Sequence, residues 1–251
     1  KLMSSYNLKR LLQPKSIALF GGLWIENVAN QIKHSNFKGN VWPINPHRKS
    51  IAGYKCFQDI SDLPGVPDSA FIGVNRTKTL EILTKLNEVG CGGATCFAAG
   101  FSEVDKYGKQ LQKKLSKASK DMPFLGPNCY GYINYLDHIH MWPDQHGGKE
   151  VEKGVAIIAQ SSNIAINLTM NTRSTPIAYV LTTGNQAKID MSDLGLAMIN
   201  DKRVTAIGIY IEGFKDIKKF EKMAFSALRS NIPIVVLKSG KTDLSLSLIH
   251  I

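Results

Sequence analysis

SIALFGG, Ser16–Gly22, is followed by the helix-like ENVANQIKHS, Glu26–Ser35. The run before the glycines is apolar on both of its alternating faces, the mark of a strand covered on both sides in a parallel sheet. The two glycines stand where the chain must turn from strand into helix. The same rhythm repeats outward: VWPINP (41–46), SAFIGV (69–74) before TKTLEILTKLNEVG, GATCFAAG (93–100) before KQLQKKLSKASKD, and PFLGPN (123–128). The first half is therefore Rossmann-like and the fold class α/β.

LDHIHMWPDQHGGKEVEKG (136–154) is polar, weakly periodic and punctuated by Gly and Pro, so the boundary is placed there. Beyond it GVAIIAQ, SSNIAINLTMN, PIAYVLTTG, MSDLGLAMIND, VTAIGIYIEG, DIKKFEKMAFSALRS and IPIVVLKSG read as a second parallel α/β unit. The expected division is 1–136, a linker at 137–150, and 151–245.

With 251 residues, 43% of them apolar, the chain can hold one large or two ordinary domains with real cores. No stretch of eighteen apolar residues occurs, and KLMSSYNLKR lacks the apolar centre of a leader, so a soluble, cytoplasmic protein is expected. Cys56, Cys91, Cys96 and Cys129 show no paired CxxC spacing, which argues for buried reduced thiols. The net charge of +11 comes mostly from dispersed lysines, which favour a polyanionic ligand without forming a nucleic-acid motif.

Ligands of open parallel sheets bind beyond the carboxyl ends of the strands. Gly21, Gly22 and Leu23 form one such loop, where glycines admit a phosphate to a helix N-terminus. The full GxGxxG spacing is absent, and a structural turn fits this loop as well as a nucleotide site. No carboxylate ends the next strand, as an NAD site would want, whereas His47, Arg48 and Lys49 suit a ligand with an extra phosphate. LGPNCYGYIN (125–134) presents an amide and the Cys129 thiol on a rigid bend, and that thiol has no His or Asp partner at useful spacing. Gln160, Ser161 and Ser162 lead a strand into a helix, as an ordinary N-cap or as an anion cradle. Glu212 ends a fully apolar strand, either as a solvated loop residue or as a group able to orient a histidine. His138, His140 and His146 with Asp137 and Asp144 lack a defined fourth ligand, so a local hydrogen-bonded cluster is expected and no metal.

In order, LLQPKSIALFGG, FKGNVWPINP, CFQDISDLP, CFAAGFSE, LGPNCYGYIN, IIAQSSN, TTGNQAKIDMSDL, IYIEGF and PIVVLKSG resemble the CoA-binding half of the nucleoside-diphosphate-forming acyl-CoA synthetases. This is the acetyl-CoA and succinyl-CoA synthetase superfamily, and the pairing of GPNC-G--N with TGN-A--D--DL is the most specific part of the match. The resemblance implies a Rossmann-like CoA-binding domain followed by a flavodoxin-like domain. It implies that an acid, CoA and ATP give acyl-CoA, ADP and phosphate through an acyl phosphate and a phosphorylated histidine. By the same resemblance Gly21, Gly22, Leu23, Val74, Asn75, Ala98, Ala99 and Gly100 line CoA, and Asn128 lies near the acyl phosphate. Gln160, Ser161 and Ser162 hold the phosphoryl group, and Glu212 positions the phosphorylated histidine. ATP/ADP and Mg2+ would be bound outside this chain, by an ATP-grasp domain or subunit of an oligomeric full-length protein, so the chain alone should bind CoA without turnover. Tyr130, Tyr132 and MWPD (141–144) lie where the family shapes its acyl pocket, which implies an acid larger than acetate.

Leu23, Ala29 and Ser162 depart from the family's usual Ser, Gly and Gly. These departures keep open a non-catalytic CoA-binding regulatory module, such as one fused to a protein acetyltransferase. An NAD(P)-dependent oxidoreductase is the other alternative. The tail TDLSLSLIHI lacks the character of the family's histidine loop, so His250 is not expected to be the phosphorylated histidine. LSLIHI (246–251) reads instead as a translated sequencing scar and is excluded from the fold.

Overall fold

Runs apolar on both faces become the central strands of two sheets in the computed structural model, which describes residues 6–239. The expectations on 246–251 and on His250 lie outside the described residues.

The first unit opens with α1 (Lys9–Leu12) and β1 (Ser16–Gly21), then α2 (Leu23–His34) and β2 (Asn40–Ile44). A small antiparallel hairpin, β3 (Ser50–Ile51) with β4 (Tyr54–Lys55), precedes β5 (Ser69–Gly73), α3 (Arg76–Glu88), β6 (Ala94–Cys96), α4 (Lys106–Ala118) and β7 (Phe124–Leu125). The sheet order is β2-β1-β5-β6-β7, parallel throughout. Connections leave β1 in opposite directions, so a crevice opens at its carboxyl end beside β5. On α2, Ile25, Val28, Ala29 and Ile32 are buried at helical spacing, which seats that helix against the sheet.

The second unit comprises β8 (Tyr132–Asn134), β9 (Ile139–Met141), β10 (Gly154–Ala159), α5 (Ser162–Thr169), β11 (Ile177–Thr182), α6 (Met191–Asn200), β12 (Val204–Ile211), α7 (Ile217–Arg229) and β13 (Ile234–Lys238). Its order is β13-β12-β10-β11-β8-β9. The first four strands are mutually parallel as expected, while β8 pairs antiparallel with β11 and β9 antiparallel with β8. Here β10 is the strand from which the connections diverge, so the second crevice lies at its carboxyl end.

The β8–β9 hairpin departs from the expected all-parallel unit, and β9 falls within the stretch read as a linker, 137–150. Three-residue strands are too short to show a period, and their polar members are buried with tertiary partners. Asn134 Nδ2 donates to the Leu12 carbonyl at 3.1 Å and to Asp137 at 2.8 Å. Asp137 in turn takes a two-pronged contact from Arg203 at 2.7 and 2.9 Å, tying the segment to the start of β12.

The two units share a core. One cluster of buried side chains runs from Leu11, Ile17 and Leu19 through Tyr132 and Met141 to Ile158 and Ile207. The Tyr132 hydroxyl donates to the Leu11 carbonyl inside it, so this ring is interior rather than open to a ligand.

Candidate functional site

At the carboxyl end of β1 the chain makes its sharpest turn. Gly21 has φ +144°, and a Cβ there would lie 2.6 Å from the Gly73 carbonyl oxygen at the end of β5. Only glycine lets β1 and β5 approach so closely. Gly22 then caps α2, and Asn45 Nδ2 holds the loop by donating to the Gly21 carbonyl at 2.7 Å. The first backbone N–H groups of α2 open onto this end, where they and the helix dipole favour an anion.

Beside this loop lies a cleft of about 360 Å3 lined by Phe20, Gly21, Gly22, Ile44, Asn45, Pro46, His47, Ile60, Val74, Lys78 and Lys85, among others. Its walls are apolar with ionic groups at the rim, suited to a heteroaromatic ring carrying phosphates. Lys85 lies 3.4 Å from Asp59 and 3.5 Å from Glu81. Of the basic run after β2, His47 lines the cleft, whereas Arg48 pairs with Glu26 at 2.7 Å. Lys78 and Lys85 are contributors the sequence reading missed; their seven-residue spacing on α3 places both on one face.

Other expected residues distribute differently. Val74 lines the same cleft, but the Asn75 side chain caps α3 by accepting from Lys78 N at 3.0 Å. Leu23 projects outward, 68% exposed, so the position offers a backbone N–H and no hydroxyl. Ala98, Ala99 and Gly100 lie beyond β6 and are not among the cleft's lining residues. The Ala98 carbonyl accepts from Asn128 N at 2.9 Å. Gly100 donates to Glu103 at 2.6 Å and accepts from Arg76 at 2.6 Å, leaving Ala99 as the exposed member.

Asn128 is exposed, in a left-handed conformation that Asn tolerates, after the cis Gly126–Pro127 bond. The loop of the second unit packs onto this turn: Asn185 N donates to the Pro127 carbonyl and Ala187 N to the Gly126 carbonyl, both at 2.9 Å. Asn185 Nδ2 reaches Glu103 at 2.5 Å and Gln112 at 3.0 Å. Burial opposes the Glu103 charge, but hydrogen bonds from Asn185 and from the Gly100 and Phe101 amides outweigh it and lower the pKa. Lys215 Nζ donates to the carbonyls of Gln186, Ala187 and Lys188, and burial lowers its pKa. Asp190 caps α6 in a reciprocal box with Asp193, and Lys219 bonds both carboxylates at 3.0 and 2.5 Å. The motifs GPN and TGNQAKIDMSDL are thus two halves of one inter-unit joint.

At the end of β10, Ser161 caps α5 and Ser162 is its first residue, both half-buried. The Gln160 side chain turns to the next loop: its Oε1 accepts from Glu212 N at 2.7 Å and Gly213 N at 2.9 Å. Lys238 Nζ donates to the Glu212 carbonyl at 3.0 Å, so the Glu212 backbone is held from both sides while its side chain is exposed. Cys129 is buried against the Thr182 carbonyl and hydroxyl at 3.1 Å, and burial pushes its thiol up to about 11.

The histidines pack together around Tyr135 and Glu150 rather than in the expected mesh of hydrogen bonds, and the buried His140 Nε2 has no hydrogen-bond partner among the described residues. His140 and His146 rings meet edge to face at 4.7 Å, and the Tyr135 hydroxyl shares a 2.9 Å hydrogen bond with His146 Nδ1. Glu150 lies 3.6 Å from His140 and 3.8 Å from His138. Among the described residues no group of His, Cys, Asp or Glu is arranged to hold a metal ion.

A family model for a CoA binding domain matches residues 15–135, and a model for the succinyl-CoA ligase like flavodoxin domain matches 152–248. The chain therefore carries a CoA binding domain followed by a succinyl-CoA ligase like flavodoxin domain. Among the relatives of these domains, an ADP-forming acetate–CoA ligase of Methanocaldococcus jannaschii is 33% identical, aligned over 95% of this chain and 34% of its own length. A trans-feruloyl-CoA synthase from an unknown prokaryotic organism is 29% identical over 96% of this chain and 36% of its own length. The chain thus spans about a third of the length of these two relatives. The acetyl-coenzyme A synthetase 1 of Ca. Korarchaeum cryptofilum, 29% identical, superposes with a TM-score of 0.87, covering 97% of this chain and 54% of that one. Between the two matched domains, at 136–151, lies the β9 hairpin strand that completes the second sheet.

Proposed function

We propose that this chain is the CoA-binding portion of an ADP-forming acyl-CoA synthetase. The whole enzyme would convert a carboxylic acid, CoA and ATP to acyl-CoA, ADP and phosphate through an acyl phosphate and a phosphorylated histidine. The observation that carries the reading is the Gly21–Gly22 turn, set at the switch point of the first sheet and opening on the cleft with His47, Lys78 and Lys85 at its edge. A Cβ at Gly21 would fill the close approach of β1 to β5, whereas at Gly22 it would meet no heavy atom within 4 Å, so the backbone of the turn stands open to a phosphate at Gly22.

In this reading the amides of Gly22 and Leu23 take the CoA diphosphate, and the cleft takes the ring. Lys78 supplies positive charge and His47 a ring nitrogen for a further phosphate, as an acyl-CoA chemistry needs and an NAD(H) chemistry does not. Bound CoA supplies the thiol that accepts the acyl group. Asn128 lies near the acyl phosphate, the helix N-terminus at Gln160, Ser161 and Ser162 holds the phosphoryl group, and the exposed Glu212 carboxylate orients a histidine from beyond this chain. ATP and Mg2+ belong to an ATP-grasp domain or subunit, so this chain alone binds CoA and does not turn over.

Calorimetric titration with CoA, dephospho-CoA and NADH tests this. Saturable CoA binding, weakened with dephospho-CoA, is expected. Binding of NADH alone would overturn it in favour of a nicotinamide-dependent oxidoreductase.

A further inference from the structure

The thirteen residues of α4, Lys106–Ala118, include five lysines and no Asp or Glu. Asp105, just before them, is engaged as the cap and accepts from Gly108 N at 2.6 Å. Leu111 and Leu115 are buried in the core of the first unit. Lys106, Lys109, Lys113 and Lys117 recur three, four and four positions apart, so they form one row on the face opposite those leucines. All four are exposed. Among the described residues none of the four makes an ion pair or a side-chain hydrogen bond.

This arrangement works against the helix. Like charges four positions apart repel, as Lys109 does Lys113 and Lys113 does Lys117. Lys106 and Lys109 stand in the first turn, at the positive end of the helix dipole, where an acid would be favoured and none occurs. On α3, by contrast, Lys85 lies 3.5 Å from Glu81 four residues before it, and on α7 Lys219 meets Asp190 and Asp193. A solvated helix face is laced with alternating charges, whereas an unbroken row of one sign complements a partner of the other.

We propose that this row docks an acidic helix of a protein partner. Along α4 the lysines are about 4.5 and 6 Å apart, from a rise of about 1.5 Å per residue. Carboxylates repeating three and four positions apart on a second helix have the same spacing. Other occupants fit less well. A second copy of this chain carries the same row and a net charge of +11, so it is repelled. A lipid surface needs apolar side chains to bury, and Leu111 and Leu115 are already turned inward. A nucleic-acid strand calls for open aromatic faces beside the charge. The row has none, and Tyr107 next to it is covered by the Arg76 guanidinium at 5.1 Å. No residue of the row lines the cleft beside Gly22, so this surface stands apart from the CoA reading.

Fluorescence anisotropy with the 251-residue chain tests this. The probes are a labelled helical peptide with glutamates alternately three and four positions apart, the same peptide with glutamines in their place, and a single-stranded oligonucleotide of equal charge. At about 0.15 M salt the glutamate peptide is expected to bind and the glutamine peptide not. Lys106→Gln, Lys109→Gln, Lys113→Gln and Lys117→Gln together should weaken binding at least about tenfold. Lys38→Gln, Lys153→Gln, Lys202→Gln and Lys222→Gln together remove equal charge from exposed sites elsewhere and should leave it near the parental value. The variant of the row should melt at or above the parental temperature, because repulsion has been removed, which separates lost docking from lost folding. Equal weakening in both variants would reduce the effect to net charge and overturn the proposal, as would failure of the glutamate peptide to bind. Tighter binding of the oligonucleotide than of the glutamate peptide would overturn it in favour of a nucleic acid.

Discussion

Gly21 and Gly22 are adjacent, yet substituting them should separate folding from binding. Gly21→Ala forces an L residue to φ +144° and sets a methyl 2.6 Å from the Gly73 oxygen and 3.1 Å from its carbonyl carbon. The dihedral costs about 1 kcal/mol or more, and overlap with backbone that cannot swing aside adds about 1–3 kcal/mol. A loss of about 2–4 kcal/mol corresponds to a melting temperature lowered by about 5–15 °C in a chain of this size. At Gly22 a Cβ would meet no heavy atom within 4 Å. Gly22→Val therefore costs only about 1 kcal/mol, for losing a favoured residue at a helix N-cap. Its side chain stands over the N–H groups proposed to take the CoA phosphates. Calorimetry with CoA beside differential scanning on both variants reads the two effects. Gly22→Val should lose at least about tenfold in affinity, about 1.4 kcal/mol, with the smaller thermal shift. Parental affinity for CoA in Gly22→Val would refute the assignment of this loop to the phosphates.

Burial, then the neighbouring His146 and His138, depress the His140 pKa to about 3, and burial lowers that of His146 despite Glu150. His140 is neutral when folded and takes up a proton on unfolding below about 6.5, so stability present above that pH should fall between about 6.5 and 3, by up to about 1.4 kcal/mol per pH unit, and His146 adds to the loss below about 6.5. His140→Phe should flatten the denaturant midpoint against pH, and an unchanged slope would count against the cluster. Lys219→Met removes the cation bonded to the buried Asp190 and Asp193 carboxylates and should cost about 3–5 kcal/mol in urea unfolding; a loss under about 1 kcal/mol would show that Lys219 does not compensate them. Gln160→Ala removes the shared acceptor of the Glu212 and Gly213 amides, so hydrogen exchange at those two sites should quicken while β10 stays protected; unchanged exchange there would dismiss the clamp. Iodoacetamide on the native protein should modify Cys56 well before the buried Cys91, Cys96 and Cys129, and early labelling of Cys129 would contradict its enclosure.

The parallel strands were legible because burial on both faces leaves an unbroken apolar run, as in IALF and AIGIYI. The hairpin was not, since its polar groups answer to residues more than a hundred positions away: the Asn134 amide to the Leu12 carbonyl, and the His138 carbonyl to the Ser35 hydroxyl. The turn at Gly21–Gly22 was readable from glycine chemistry alone. Asn75 could have been recognised as a helix cap from its place before α3. Gln160 could not, because only the fold brings the Glu212 and Gly213 amides, some fifty residues on, to its side chain. Lys78 and Lys85 were two among many dispersed lysines until the fold set them at the cleft beside Gly22.

The joint between the units explains why the most specific part of the sequence consists of two distant motifs rather than one. Gly126, Pro127 and Asn128 offer carbonyls and a turned backbone; residues 185–187 supply the N–H groups that meet them. Gly184 is needed for the contact, because a Cβ there would overlap the Pro127 and Asn128 carbonyls. Glu103 and Lys215 then grip the second loop from opposite sides, one by a side-chain amide and one by three carbonyls. Buried polar groups in such a joint are satisfied only when both units are docked, and leaving them unpaired costs about 1–3 kcal/mol each. The relative placement of the two crevices is therefore fixed by the same hydrogen bonds that fold the joint.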